Sequence, residues 1–194
     1  MRVRSTPATI GQASAGKPFR AVFPSECRAA TTLQSAGSSL GRMDGHRGSI
    51  LWLTGLPGAG KSTIAFELAC LLGQQGLRVQ VLDSRAGYAE DVNRFGETAA
   101  LLAQAGTIAI CACVSPSRAG RERLRTRHRV YFHEVYVNAP PAVCAARGFA
   151  AAWAPYEAPL EPEVEILSAE GPLARCVGEL AAYVQWRLRL PRAA

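Results

Sequence analysis

The chain has 194 residues, 48% of them hydrophobic, enough for one domain with a substantial core. No uninterrupted apolar run approaches the roughly 18 residues of a membrane span, so no membrane partner is expected. Its net charge of +7 comes mostly from residues 1–42, which hold six basic side chains against Glu26 alone, and the near-balance of residues 43–194 argues against a nucleic-acid face.

Residues 1–45 are rich in Ser, Ala, Thr and Gly, with scattered arginines and no sustained period. They are expected to form a disordered basic extension. The same acid-poor composition fits an organellar targeting segment. Because Met43-Asp44-Gly45-His46-Arg47-Gly48 leads directly into an apolar run, we read Met43 as the start of translation in preference. A nucleotide-binding domain is expected over residues 46–194.

That domain opens on Ser49-Ile50-Leu51-Trp52-Leu53-Thr54, a short apolar stretch suited to a buried parallel strand. Gly55-Leu56-Pro57-Gly58-Ala59-Gly60-Lys61-Ser62 follows, a complete Walker A loop, and then a helical apolar period over 62–75. Strand, glycine-rich turn and helix in this order aim backbone N–H groups and a helix N-terminus at phosphate oxygens. Gly55, Gly58 and Gly60 permit the tight backbone, Lys61 can reach the β- and γ-phosphates, and Ser62 can bind Mg²⁺. The nucleotide-binding set read from the motif is Gly55, Leu56, Pro57, Gly58, Ala59, Gly60, Lys61, Ser62 and Thr63.

Further strands are predicted over 78–82, 107–113 and 130–137, with a shorter one near 164–167, and helices over about 91–105, 119–127, 140–147 and 172–188. Gly73, Gly76 and Gly106 end helices, and Pro140-Pro141 starts one. Such alternation predicts an α/β fold: a P-loop NTPase-type, doubly wound parallel sheet of about five strands with helices on both faces. Residues 148–163, with Trp153, Pro155, Tyr156, Pro159 and Pro162, break the pattern, at the place where a lid would stand. Cys27, Cys70, Cys111, Cys113, Cys144 and Cys176 show no paired C-x-x-C spacing. Most lie in apolar runs as small hydrophobes, so reduced thiols and a cytoplasmic setting are expected, although Cys111 and Cys113 would share one strand face.

Several stretches resemble the adenylylsulfate kinase family, whose members phosphorylate the 3′-hydroxyl of adenylylsulfate. Leu51 to Ala65 is similar to that family's first strand and P-loop almost residue for residue. Arg94-Phe95-Gly96-Glu97, Val114-Ser115-Pro116-Ser117-Arg118, Phe132-His133-Glu134-Val135-Tyr136-Val137 and Pro155-Tyr156-Glu157-Ala158-Pro159 resemble further motifs across residues 48–185. The departures fall on the acceptor side. Leu82-Asp83-Ser84-Arg85 stands where the family has Leu-Asp-Gly-Asp, about fifteen following residues are missing, and the long basic lid is reduced to Gly148–Ala154.

The resemblance implies a kinase dependent on ATP and Mg²⁺, with a small-molecule acceptor, adenylylsulfate or another hydroxyl compound, and a homodimer. An inactive nucleotide-binding module is the alternative. The expected catalytic residues are Lys61, Asp83 and Ser115, and the metal ligands are Ser62 and Asp83. Asp83, at a strand's carboxyl end, could hold Mg²⁺ through water or take the hydroxyl proton, or it could merely cap a turn. Ser115 matches the position of a proposed phosphoserine; from the residues alone it reads equally as a polar wall or a turn former. Arg147 is expected to clamp the nucleotide. Arg118 and Arg121 read either as phosphate contacts or as a solvated helix start. Phe149, Trp153 and Tyr156 read as core packing in preference to base stacking, and His128 and His133 as packing.

Overall fold

The computed structural model describes residues 48–84, 91–148 and 155–188. Within them the strands β1 (Ser49–Thr54), β2 (Val79–Asp83), β3 (Ile108–Ala112), β4 (Phe132–Asn138) and β5 (Val164–Leu167) alternate with helices α1 (Lys61–Gln74), α2 (Asp91–Gln104), α3 (Arg118–Arg127), α4 (Pro141–Ala146) and α5 (Leu173–Leu188). The strands pair in parallel in the order β2-β3-β1-β4-β5. The chain moves to one side of β1 for β2 and β3, then to the other for β4 and β5. The direction of winding therefore reverses at β1, and a crevice opens at its carboxyl end.

Alternation along β1 divides the core. Leu51 and Leu53 pack with Ile64, Leu68 and Leu72 of α1 and Leu180 and Val184 of α5. Ile50 and Trp52 point the other way, onto Phe95, Ala99 and Ala103 of α2 and Leu124 of α3. Both faces of the sheet are thus covered, which is why β1 reads as a continuous apolar run. Helix α2 comes close to α3 because Gly96 has no side chain; a Cβ there would stand 2.4 Å from Leu124 Cδ2.

Most predicted boundaries shift by a single residue, and the start of β4 moves furthest. Strand β4 starts at Phe132 and not at 130, since the chain leaves α3 through a turn in which Tyr131 N–H donates to the His128 carbonyl at 2.9 Å. Val130 is exposed there, so its apolar character did not mark a strand. The expected extension over 1–45 lies outside the described residues, as do residues 85–90 and 149–154, with Arg85, Phe149 and Trp153 among them. Among the described residues no helix is long and apolar enough to cross a membrane.

Candidate active site

The turn out of β1 begins pressed against β4. A Cβ on Gly55, whose φ is +148°, would lie 2.3 Å from the Val137 carbonyl oxygen. Glycine is the residue that tolerates both that dihedral and that approach. Within the loop, Ala59 N–H donates to the Leu56 carbonyl at 3.1 Å. Gly60, left-handed at φ 100°, is the N-cap of α1 and offers no side-chain cap. The first amides of α1 are therefore left for an anion at the helix N-terminus.

Lys61 folds back over this loop, its Nζ donating to the carbonyls of Gly55 at 3.0 Å and Leu56 at 2.9 Å. Burial lowers its pKa to about 8, because a desolvated ammonium is disfavoured. The next residue, Ser62, donates its hydroxyl to Asp83 Oδ1 at 3.0 Å. Asp83 closes β2, so the helix after the P-loop and the end of the neighbouring strand bring two oxygen side chains together. Such a pair of hard donors fits a magnesium ion held by one or two protein oxygens and by phosphate.

A cavity of about 800 Å³ spreads over the loop. Pro57, Gly58, Ala59, Gly60, Lys61, Ser62 and Thr63 form its floor, and Arg147 stands at its wall. Arg147 Nη1 donates to the Gly58 carbonyl at 2.8 Å, which places its guanidinium beside the phosphate loop. Gly55 and Leu56 lie behind the floor as acceptors for Lys61. The sequence did not point to the turn between β5 and α5 or to the start of α5, which bring Ser168 and Gly171, and Leu173 and Cys176, to the cavity. Ser168 donates to the Ala59 carbonyl at 2.7 Å and so ties that turn to the P-loop. The available signal was the Ser168-Ala169-Glu170-Gly171 turn after the last strand, since ligands gather at the carboxyl ends of such sheets.

Ser115 belongs to a different cluster. It is 4% exposed, and its hydroxyl donates to Thr54 Oγ1 at 2.9 Å and accepts from Trp52 Nε1 at 3.1 Å. Thr54 in turn donates to the Val114 carbonyl at 2.7 Å, so the Tyr156 hydroxyl, 3.1 Å away, must be the donor to Thr54. Beside them Arg121, 1% exposed, donates to Glu134 Oε1 at 2.6 Å and to the carbonyls of Ser115 and Glu157, each at 2.6 Å. Arg121 is therefore neither a solvated helix start nor a phosphate contact, because its guanidinium is spent on interior acceptors. Arg118 reaches the Ala158 carbonyl at 3.0 Å and is likewise turned to that segment.

The remaining residues pack. Tyr156 stacks on Tyr136 with centroids 6.2 Å apart, and burial raises its hydroxyl pKa. His133 Nδ1 lies 2.8 Å from the Tyr183 hydroxyl, and burial lowers its pKa. Cys111 and Cys113 are buried, and desolvation pushes the Cys113 thiol up to about 12.

Strand order, glycine loop, helix N-terminus and the Ser62–Asp83 pair define a P-loop nucleotide-binding protein of the kinase type. The family model described as adenylylsulphate kinase matches residues 47–87 and 83–167. The adenylyl-sulfate kinase of Lactiplantibacillus plantarum is 35% identical over 169 residues, covering 72% of this chain and 82% of that protein. The chain belongs to the adenylylsulphate kinase family. Among solved structures, the protein APE1195 is 31% identical with a TM-score of 0.66, over 74% of this chain and 98% of that one. The APS kinase CysC of Mycobacterium tuberculosis, in complex with AMPPNP and APS, shares the fold with a TM-score of 0.64 at 24% identity, over 72% of this chain and 99% of that one. The family match comes in two pieces that meet at residues 83–87, just after β2.

Proposed function

We propose that this protein transfers the γ-phosphoryl group of ATP to the 3′-hydroxyl of adenylylsulfate. The observation that carries the reading is the Ser62–Asp83 contact of 3.0 Å on the floor of the phosphate cradle, in a chain of this family. Phosphoryl transfer is mostly positioning and electrostatic stabilisation, and each need has a residue here.

The P-loop amides through Thr63 hold phosphate oxygens. Lys61 exchanges its two carbonyl partners for the β- and γ-phosphates, regaining the full charge that burial discourages. Ser62 and Asp83 would hold Mg²⁺, which would supply charge neutralisation on the transferring phosphates. Alternatively Asp83, at the carboxyl end of β2, would orient or accept the proton of the incoming hydroxyl. Arg147 steadies the nucleotide from its seat on Gly58. In this reading Ser115 carries no phosphoryl group; its hydroxyl is tied inward to Trp52 and Thr54.

A second reading, transfer to another hydroxyl compound, is favoured by one observation. Arg85 stands where the resemblance implies a second aspartate, and the two pieces of the family match meet at that point. Both readings are tested by ADP release from the full chain with Mg-ATP, with and without adenylylsulfate, against Lys61→Ala. Stimulation by adenylylsulfate that the variant lacks is the expected result. ATP binding without stimulation would sink the first reading and send the search to other alcohols, and no turnover with any acceptor would leave a nucleotide-binding module.

A further inference from the structure

The segment after residue 154 is fastened to the start of α3 by hydrogen bonds from both directions. Glu157 N–H donates to the Pro116 carbonyl at 3.0 Å, and Glu157 Oε2 accepts from Arg118 N–H at 2.7 Å. Arg118 Nη2 reaches the Ala158 carbonyl at 3.0 Å, and Arg121 Nη2 the Glu157 carbonyl at 2.6 Å. The same Arg121 guanidinium holds the Ser115 carbonyl, and Ser115 has the left-handed φ of 40° that non-glycine residues seldom adopt. One buried fork thus spans β4, the Ser115 turn and the 155–158 segment.

Neither Arg121 nor Tyr156 lines the cavity over the P-loop, but Val114, next to Ser115, does. With nucleotide held by the P-loop, Arg147 and the β5–α5 turn, the side left for the acceptor is the carboxyl edge of β2 and β3, which Ser84, Ala112 and Val114 border. We propose that Arg121, assisted by Arg118, is a positioning residue that locks the 155–158 segment onto the Ser115 turn and so shapes the acceptor side without touching substrate. This inference rests on the kinase reading above.

Arg121→Lys is the informative variant. It keeps a cation for Glu134, which also retains Arg125 Nη2 at 2.9 Å, but one ammonium cannot fork across Glu134, Ser115 and Glu157. The KM for adenylylsulfate is expected to rise about tenfold or more, with the KM for ATP changing by less than about twofold. Equal effects on both substrates, or none on adenylylsulfate, would overturn the proposal. Should Arg121→Lys fail to fold, Arg118→Ala and Tyr156→Phe must show the same split, with a rise of about threefold. If the wild type does not turn over adenylylsulfate, the acceptor reading has failed and not the clamp. Hydrogen exchange then decides: faster exchange of the Glu157 amide in the variant at unchanged ATP affinity supports the clamp, and unchanged exchange sinks it.

Discussion

The Ser62 hydroxyl and Asp83 Oδ1, 3.0 Å apart, join the second residue of α1 to the last residue of β2. The contact crosses 21 positions of sequence and makes an oxygen pair out of two elements that share no local structure. If it holds Mg²⁺, Ser62→Ala raises the magnesium concentration for half-maximal ADP release about tenfold. Asp83→Asn lowers kcat by about 10²-fold or more with a small change in the KM for ATP. Near wild-type turnover in Asp83→Asn would reduce Asp83 to a turn residue.

Lys61 is expected to make nucleotide binding take up protons. Its folded pKa of about 8 lies below the ordinary 10.5, so from 8 to 10.5 the unfolded chain binds more protons and stability rises with pH. Below about pH 8 the buried charge is present and its cost is fully felt. Polyphosphate favours the charged form, so ATP binding at pH 8.5 draws in roughly half a proton or more, and almost none at pH 6.5. Calorimetry in buffers of different ionisation enthalpy measures this uptake. Lys61→Arg, charged throughout, is expected to abolish it, and uptake that persists in that variant would assign the proton elsewhere.

Gly55→Ala separates the backbone requirement of the loop from its chemistry. The added Cβ would meet the Val137 carbonyl oxygen at 2.3 Å, at a φ of +148°. Strand β4 has no flexible side chain to move there, only its backbone. A loss of about 2–4 kcal/mol in urea unfolding is expected, together with weakened ATP binding. Stability equal to wild type would mean that the β1–β4 approach relaxes freely.

Glu134 neutralises two guanidinium groups, one of them fully buried. Its Oε1 takes Arg121 at 2.6 Å and its Oε2 takes Arg125 at 2.9 Å. Glu134→Ala strands Arg121 in the interior and is expected to destabilise the fold by about 3–5 kcal/mol. The paired replacement Arg121→Met with Glu134→Leu removes both charges and is expected to recover about half of that loss in the same denaturation assay, the rest being the cost of the Ser115 and Glu157 carbonyls left without their donor. Equal losses in the single and paired variants would show that packing, and not the uncompensated charge, sets the cost.

The periodicities located the elements well, because strands buried on both faces and helices with one apolar stripe announce themselves locally. The predicted 49–54 strand is β1 to the residue, and β5 falls where a short strand near 164–167 was expected. Lys61 and Ser62 were legible from the motif, and Asp83 from its position at a strand end. Arg121 was not. A helix reading Arg118-Ala119-Gly120-Arg121-Glu122-Arg123 looks solvated, and nothing nearby in sequence reveals acceptors at Glu134 and Glu157, 13 and 36 positions away. The direction of Ser115 was hidden for the same reason, since its partners Trp52 and Thr54 lie more than 60 positions upstream.

By itself the sequence determined the order of strands and helices, the phosphate loop and the family, since apolar period, glycine tolerance and motif spacing are properties of short stretches. Tertiary structure alone decided which polar groups face the cavity and which are spent on interior partners. It turned Ser115 inward, buried Arg121, lowered the Lys61 pKa and set the β5–α5 turn against the P-loop. Those outcomes follow from desolvation and hydrogen-bond geometry, which exist only once distant segments have packed together.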